Sequence, residues 1–299
     1  MFPRIATIEH MCESLSLFSE PTKAWFEHAF GQPTEAQAQA WPAIHSGRNV
    51  LVIAPTGSGK TLAAFLSAID RLMTVSRTRR AGVRVLYVSP LKALAVDVAK
   101  NLAQPLEGIA AQCEAQGLPA PKIAVANRSG DATAQERRRI ASHPPDILVT
   151  TPESLYLLLT SKAGRILGTV DTVIVDEIHA VAGTKRGSHL ALSLERLENL
   201  VAESRRRDAM DRNDGESKVS DDSGNEPLLQ RIGLSATVNP PEEAARFLTG
   251  GRPVTIVNPG GRPAMDLRMV EPLENMRDLQ SVNAKQRVGG VDSERPTPH

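Results

Sequence analysis

The chain has 299 residues, enough for one large domain or two ordinary ones. Its 35 Lys and Arg against 34 Asp and Glu give a formal net charge of +1, which excludes a globally basic nucleic-acid coat and an acidic tail but leaves room for a local basic groove. Hydrophobic residues at 41% predict a sizeable core, aromatics at 3% predict an aliphatic one, and two cysteines exclude a disulfide framework and a four-cysteine zinc site.

In chain order, Met1 to His10 carries no basic-then-apolar leader pattern. Val50-Leu51-Val52-Ile53 reads as a buried strand. Apolar residues at 62, 65, 66, 69, 72 and 73 then have helical spacing. Val83 to Val88 predicts a second strand, followed by a helix from about Lys92 to Leu102. Ile123–Ala126, Ile147–Val149, Val173–Val175 and Ile232–Leu234 are further short strands. Leu190, Leu194, Leu197 and Val201 line one face of a long helix between the last two. Strands apolar on both faces, separated by helices, predict an α/β fold with a mostly parallel sheet covered on both sides. Residues 203–226 hold 13 charged residues in 24 and read as an exposed, disordered insertion. No run of 18 apolar residues occurs, so no membrane span is expected. A cytoplasmic, reducing location is expected.

Two motifs carry chemistry. Ala54-Pro55-Thr56-Gly57-Ser58-Gly59-Lys60-Thr61 joins the first strand to the first helix and fits G-x-x-x-x-G-K-[ST], with Ala54 in place of the first glycine. Glycines let successive N–H groups converge on phosphate oxygens, and the helix start adds its positive dipole end. Thr56, Gly57, Ser58, Gly59, Lys60 and Thr61 are therefore candidate nucleotide-binding residues, with Thr61 also a ligand for Mg²⁺. The second motif is Asp176-Glu177-Ile178-His179, after an apolar strand. Asp176 at a strand end suits a metal anchor and Glu177 a general base for an attacking water; the plain alternative is an N-cap pair on a loop. Lys60, Asp176 and Glu177 form the candidate catalytic set. His179 is placed with the nucleotide-binding residues, as a link from the nucleotide to the next motif.

The ordered set resembles a superfamily 2 helicase of the DEAD/DEAH-box kind. Pro33-Thr34-Glu35-Ala36-Gln37 is similar to the Q motif, residues 54–61 to motif I, Pro90-Leu91-Lys92-Ala93-Leu94 to motif Ia, Thr151-Pro152-Glu153-Ser154-Leu155 to motif Ib, Asp176–His179 to motif II and Ser235-Ala236-Thr237 to motif III. The stretches at 90–97, 176–187 and 232–238 resemble the large helicase-related (Lhr) family in particular. The resemblance implies a P-loop NTPase RecA-like domain at 31–270, a helical lead-in at 1–30 and a linker or truncated end at 271–299. It implies ATP and Mg²⁺ as cofactors, adenine read by Gln37 with an upstream aromatic such as Phe18 stacked on it, and coupling through Ser235 and Thr237. It also implies 3′ to 5′ translocation on single-stranded DNA, with RNA as an alternative. A monomer is expected, lacking the second RecA-like lobe of the family.

Pro90, Leu91 and Lys92, with Thr151, Pro152, Glu153 and Ser154, follow short strands, and such loops share the carboxyl edge of a doubly wound sheet. They and Gly130, beside Asp131, are the expected strand contacts, though both motifs also read as ordinary helix starts. Arg137-Arg138-Arg139 reads as a solvated helix face. Rival readings stay open. A GTPase would need an Asn/Thr-Lys-x-Asp stretch, and Thr184-Lys185-Arg186-Gly187 lacks the aspartate. A transporter ATPase would carry a Leu-Ser-Gly-Gly-Gln-like run, which is absent. An inert fragment that binds ATP and nucleic acid without turnover differs only in kinetics.

Overall fold

The computed structural model describes residues 13–74, 81–211 and 229–260. Its strands are β1 (Val50–Ile53), β2 (Val85–Val88), β3 (Val125–Arg128), β4 (Ile147–Thr150), β5 (Thr172–Val175), β6 (Gln230–Ser235) and β7 (Thr255–Val257). They pair in the order β3-β4-β2-β5-β6-β1-β7, every pair parallel. β1, β2, β4, β5 and β6 are buried throughout. In β1, β2, β4 and β5 mostly Val, Leu and Ile fill both faces, as crossover helices on both sides require, whereas β6 also buries Gln230, Arg231 and Ser235.

The helices are α1 (Glu20–Phe30), α2 (Glu35–His45), α3 (Lys60–Thr74), α4 (Lys92–Asn101), α5 (Ala103–Ala115), α6 (Ala134–Ser142), α7 (Pro152–Leu159), α8 (Ile178–Val181), α9 (Lys185–Asp211) and α10 (Pro241–Thr249), with a 3-10 helix at Lys162–Leu167. Two apolar clusters flank the sheet. One joins α1, α2, α3 and α5 to Val50, Val52, Tyr87 and Ile174; the other joins α7, α9 and α10 to Leu51, Leu86, Leu148 and Val175. Alternation along each strand sends successive residues to opposite clusters.

Several expectations shift. β3 lies two residues beyond the expected 123–126. β7 and α10 were not anticipated, because β7 is a three-residue edge strand with only Val257 buried. The few aromatics are not spread thinly: Phe18, Trp25, Phe26, Phe30 and Trp41 gather beneath the N-terminal helices, with edge contacts at 4.9–5.7 Å. The described part of the expected 1–30 lead-in, residues 13–30, shares the sheet's core through Leu15, Phe18, Trp25 and Phe26. α9 continues as helix to Asp211, so the first part of the expected disordered insertion is ordered. Residues 212–226 of that insertion and the expected tail at 271–299 lie outside the described residues.

Opposite the carboxyl edge, Arg231 on β6 is 1% exposed and is held by Glu195 at 2.8 Å, by Glu198 and by the Leu248 and Leu194 carbonyls. Arg252 adds a two-pronged contact to Glu195 at 3.0 and 2.7 Å. A buried guanidinium is tolerated because its charge and most of its donors are met. No helix among the described residues is long and apolar enough to cross a membrane.

Candidate functional site

The chain's chemistry collects where β1, β2 and β5 end. A cleft of about 680 Å³ is lined by Trp25, Phe30, Gln32, Thr34, Gln37, Thr56, Gly57, Gly59, Lys60, Thr61, Asp176 and Glu177, with α4 and α5 on its far wall. All these motif residues come from separate segments and meet because β1 and β5 flank β6 in the sheet.

The loop after β1 curls through Gly57 at φ +82° and Gly59 at φ +78°, both in the left-handed region that glycine occupies freely. Lys60 opens α3 and is 5% exposed, yet among the described residues its ammonium has only the Pro55 carbonyl at 3.5 Å. Ser58 Oγ is buried without a partner among the described residues. A buried cation short of acceptors, an orphaned hydroxyl and a helix start together fit a chain of phosphates.

Gln37 arrives from α2. With Thr34 it forms a capping box: its Oε1 accepts from the Thr34 N–H at 2.9 Å, and Thr34 Oγ1 accepts from the Gln37 N–H at 3.3 Å. Thr34 Oγ1 also donates to the Ser58 carbonyl at 2.7 Å, and Gln37 Nε2 donates to the Gly59 carbonyl at 3.2 Å. The segment therefore braces the phosphate loop directly, a role that motif matching did not foresee. One N–H and one lone pair of the Gln37 amide remain for a ligand.

Asp176 is 5% exposed, and both its oxygens are fixed. Oδ1 accepts from the Glu177 N–H at 2.8 Å, and Oδ2 accepts from the Tyr87 hydroxyl. Burial, then the Asp176 charge, push the Tyr87 phenol far above its ordinary range, so it stays a donor. Sequence reasoning missed Tyr87; its one signal was a hydroxyl-bearing aromatic inside the aliphatic run Val-Leu-Tyr-Val. Glu177 sits at φ +49°, the only non-glycine in the left-handed region among the described residues. That turn separates its carboxylate from that of Asp176. The described residues contain no group of three metal-ligating side chains, so a divalent ion held by Asp176 and Thr61 would need phosphate and water for its other ligands.

His179 ties this region to the end of β6. Its Nδ1 accepts from the Ala236 N–H at 3.3 Å and lies 3.2 Å from Ser235 Oγ, which places the ring proton on Nε2, 3.2 Å from the Glu177 carboxylate. Ser235 is fully buried; Thr237 is exposed and lines a neighbouring cleft with His179.

The other expected residues fare differently. Phe18 is a correction: it is 6% exposed and packed against Trp41, so it cannot stack on a base in the cleft. Of the aromatics that line the cleft, Trp25 and Phe65 are buried, and Phe30, 53% exposed, is the one that presents its face. Lys92 reaches across to Asp131 at 2.9 Å, which brings the Pro90–Lys92 loop to Gly130. Thr151 and Ser154 do not present a row of surface hydroxyls. They are 2% and 4% exposed, and Thr151 Oγ1 caps α7 by accepting from the Ser154 N–H at 3.4 Å. Pro152 is buried at the helix start, and Glu153 is exposed but paired with Arg186. That pairing holds the Glu153 carboxyl below its usual range.

Residues 34–245 match the DEAD/DEAH box helicase family. The Lhr helicase/probable uracil glycosylase of Mycolicibacterium smegmatis is 54% identical over 269 residues, covering 90% of this chain and 16% of that protein. The Lhr helicase/uracil glycosylase of Escherichia coli is 48% identical over 272 residues, again 16% of that protein. The solved structure of Mycobacterium smegmatis helicase Lhr bound to ssDNA and AMP-PNP superposes with a TM-score of 0.70 at 56% identity, covering 82% of this chain and 28% of that one. The fold is thus that of RecA-like helicase domains.

Proposed function

The chain belongs to the DEAD/DEAH box helicase family and carries the helicase domain found in Lhr-type ATP-dependent helicases, and from that premise we propose that its cleft binds Mg²⁺-ATP and hydrolyses it to drive movement along a single nucleic-acid strand. The observation that carries this is the near-isolated Lys60 ammonium, buried in the same cleft as Asp176 and Glu177. The loop amides and Lys60 receive the β and γ phosphates. The free N–H and lone pair of Gln37 meet the adenine edge, with Phe30 as the stacking surface. Glu177 takes a proton from the attacking water, and the His179 Nε2–H holds that carboxylate in place. Mg²⁺, held by Asp176 and Thr61, supplies charge neutralisation on the phosphates. His179 relays the state of the cleft to Ser235 and Thr237 through its contacts at the end of β6.

A single strand is the proposed partner, DNA first, because a relative of 56% identity was solved with ssDNA and AMP-PNP. Pro90, Leu91, Lys92 and Gly130, with the backbone at the start of α7, form its proposed track. Translocation 3′ to 5′, a monomeric state and a cytoplasmic setting complete the reading. The chain spans 16% of the length of its relatives in M. smegmatis and E. coli, so unwinding belongs to the longer proteins in this proposal. An arginine finger from a facing lobe is worth about 10³–10⁵ in rate. The 299-residue chain should therefore bind ATP and turn it over very slowly. Steady-state hydrolysis with and without single-stranded DNA tests this, and gel-resolved unwinding of a 3′-overhang duplex by the chain alone would overturn the division of labour.

A further inference from the structure

Arg128 ends β3 at the carboxyl edge, in register with Thr150, whose hydroxyl donates to the Arg128 carbonyl at 2.8 Å. Its side chain is anomalous. The residue is 8% exposed, its Nη1 is buried without a partner, and the guanidinium makes no hydrogen bond or ion pair among the described residues. Compare Arg231, also buried but met by two carboxylates and two carbonyls. The acids nearest in sequence to Arg128 are committed elsewhere. Asp131 is taken by Lys92 at 2.9 and 3.2 Å. Glu136 caps α6 through the Thr133 N–H at 2.7 Å and its hydroxyl at 2.9 Å. The adjoining charges are positive instead: Arg137 donates to the Gly130 carbonyl at 2.9 Å, and a Cβ on Gly130 would lie 3.7 Å from the Lys92 ammonium. Burial, then Arg137, hold the Arg128 guanidinium below its ordinary value.

A buried cation with no counter-charge is a standing cost that folding alone gives no reason to keep. We propose that Arg128 is a phosphate-binding residue for the single strand, its fork closing on a phosphodiester group that crosses the carboxyl edge beside Gly130. This rests on the nucleic-acid reading above and adds a residue to it. Nη1 is out of reach of solvent, so the side chain must swing outward to meet a phosphate. That motion breaks no hydrogen bond, because none is made. The planar fork suits a phosphate's paired oxygens, which a lysine cannot match.

The test uses the 299-residue chain, wild type and Arg128→Met, with a 5′-labelled 12-nucleotide DNA strand followed by anisotropy from low to moderate salt. Arg128→Met should bind about tenfold more weakly, the loss expected of one charged hydrogen bond. Its plot of log affinity against log salt should flatten by about 0.7, one phosphate's share for a single strand. Unliganded Arg128→Met should also melt about 2–4 °C higher than wild type, since an unpaired buried charge is gone. A purely structural arginine would lower the melting temperature. Arg128→Lys keeps the charge and should restore the salt slope while remaining weaker than wild type. Equal affinity and equal slope for wild type and Arg128→Met would overturn the proposal. Inorganic phosphate raising the melting temperature of wild type alone, with strand binding unchanged, would overturn it in favour of a free-anion site. Should wild type show no salt-sensitive strand binding at all, the nucleic-acid reading itself fails, an outcome distinct from a normal wild type with an indifferent variant.

Discussion

Gln37 donates its amide N–H to the carbonyl of Gly59 at 3.2 Å, and a Cβ on Gly59 would fall 2.4 Å from that same nitrogen. The two residues are 22 apart in sequence, and each constrains the other. Gly59 must lack a side chain both for this close approach and for its φ of +78°. Gln37 must be an amide, since one side chain caps α2 through Oε1 and braces the loop through Nε2.

Gly59→Ala should therefore abolish ATP binding while leaving the sheet folded. Both the strained φ and the clash fall on the phosphate loop, so the amides there lose their convergence. Calorimetry with AMP-PNP, alongside a far-ultraviolet spectrum, separates lost binding from lost fold. Gln37→Ala should weaken ATP binding and erase any preference for ATP over GTP; a retained preference would remove Gln37 from base recognition.

Lys60→Ala should weaken ATP binding at least about tenfold, because a charged hydrogen bond to phosphate is worth about 1.5–3 kcal/mol. The effect on unliganded stability should be small, since the ammonium has only a 3.5 Å carbonyl contact to lose. Unchanged affinity would contradict the phosphate-loop assignment.

Glu177→Gln should keep nucleotide affinity and remove whatever slow hydrolysis the chain shows, since a general base contributes about 10²–10⁴-fold. Asp176→Asn should instead reduce Mg²⁺-dependent binding. Titrations with and without EDTA distinguish them, and identical binding by the two variants would dissolve the split between metal anchor and base.

Tyr87→Phe removes the donor to Asp176 Oδ2 and leaves that buried oxygen short of a partner. The expected cost is about 1–3 kcal/mol, read as a lower melting temperature. Binding of Mg²⁺-AMP-PNP should weaken too, because the freed carboxylate loses its fixed orientation. A variant as stable as wild type would mean that water replaces the phenol.

Glu195 supplies a pH prediction. Its hydrogen bonds from Arg252, then Arg231, hold its carboxyl down to about 2 against an ordinary 4.5. A depressed folded-state value gives stability that is present above about 4.5 and lost as pH falls toward 2. Melting temperature should fall across that window, and less steeply for Glu195→Gln. Glu195 is 40% exposed, so added salt should shrink the difference.

Much of the fold and site was legible in the sequence, for definite reasons. The aliphatic runs at 50–53, 147–149 and 173–175 are buried on both faces, and such strands announce themselves without tertiary help. The phosphate loop and the Asp176–His179 run depend on local backbone geometry and spacing, which the chain carries in consecutive residues. What escaped depends on register between distant segments. Tyr87 reaches Asp176 because β2 pairs with β5 and sets Tyr87 opposite Ile174, two residues before the aspartate. Phe18 and Phe30 are the same residue type 12 positions apart. Only tertiary packing separates them: the segment before α1 seats the first against Trp41 of α2, while the second, at the end of α1, lies on the cleft. Thr151 and Ser154, expected as strand contacts, are turned inward at the start of α7. Arg128 and Arg231 look alike as letters. Among the described residues the Arg231 guanidinium finds four partners and that of Arg128 none, because charge pairing is decided by what the fold brings within about 4 Å.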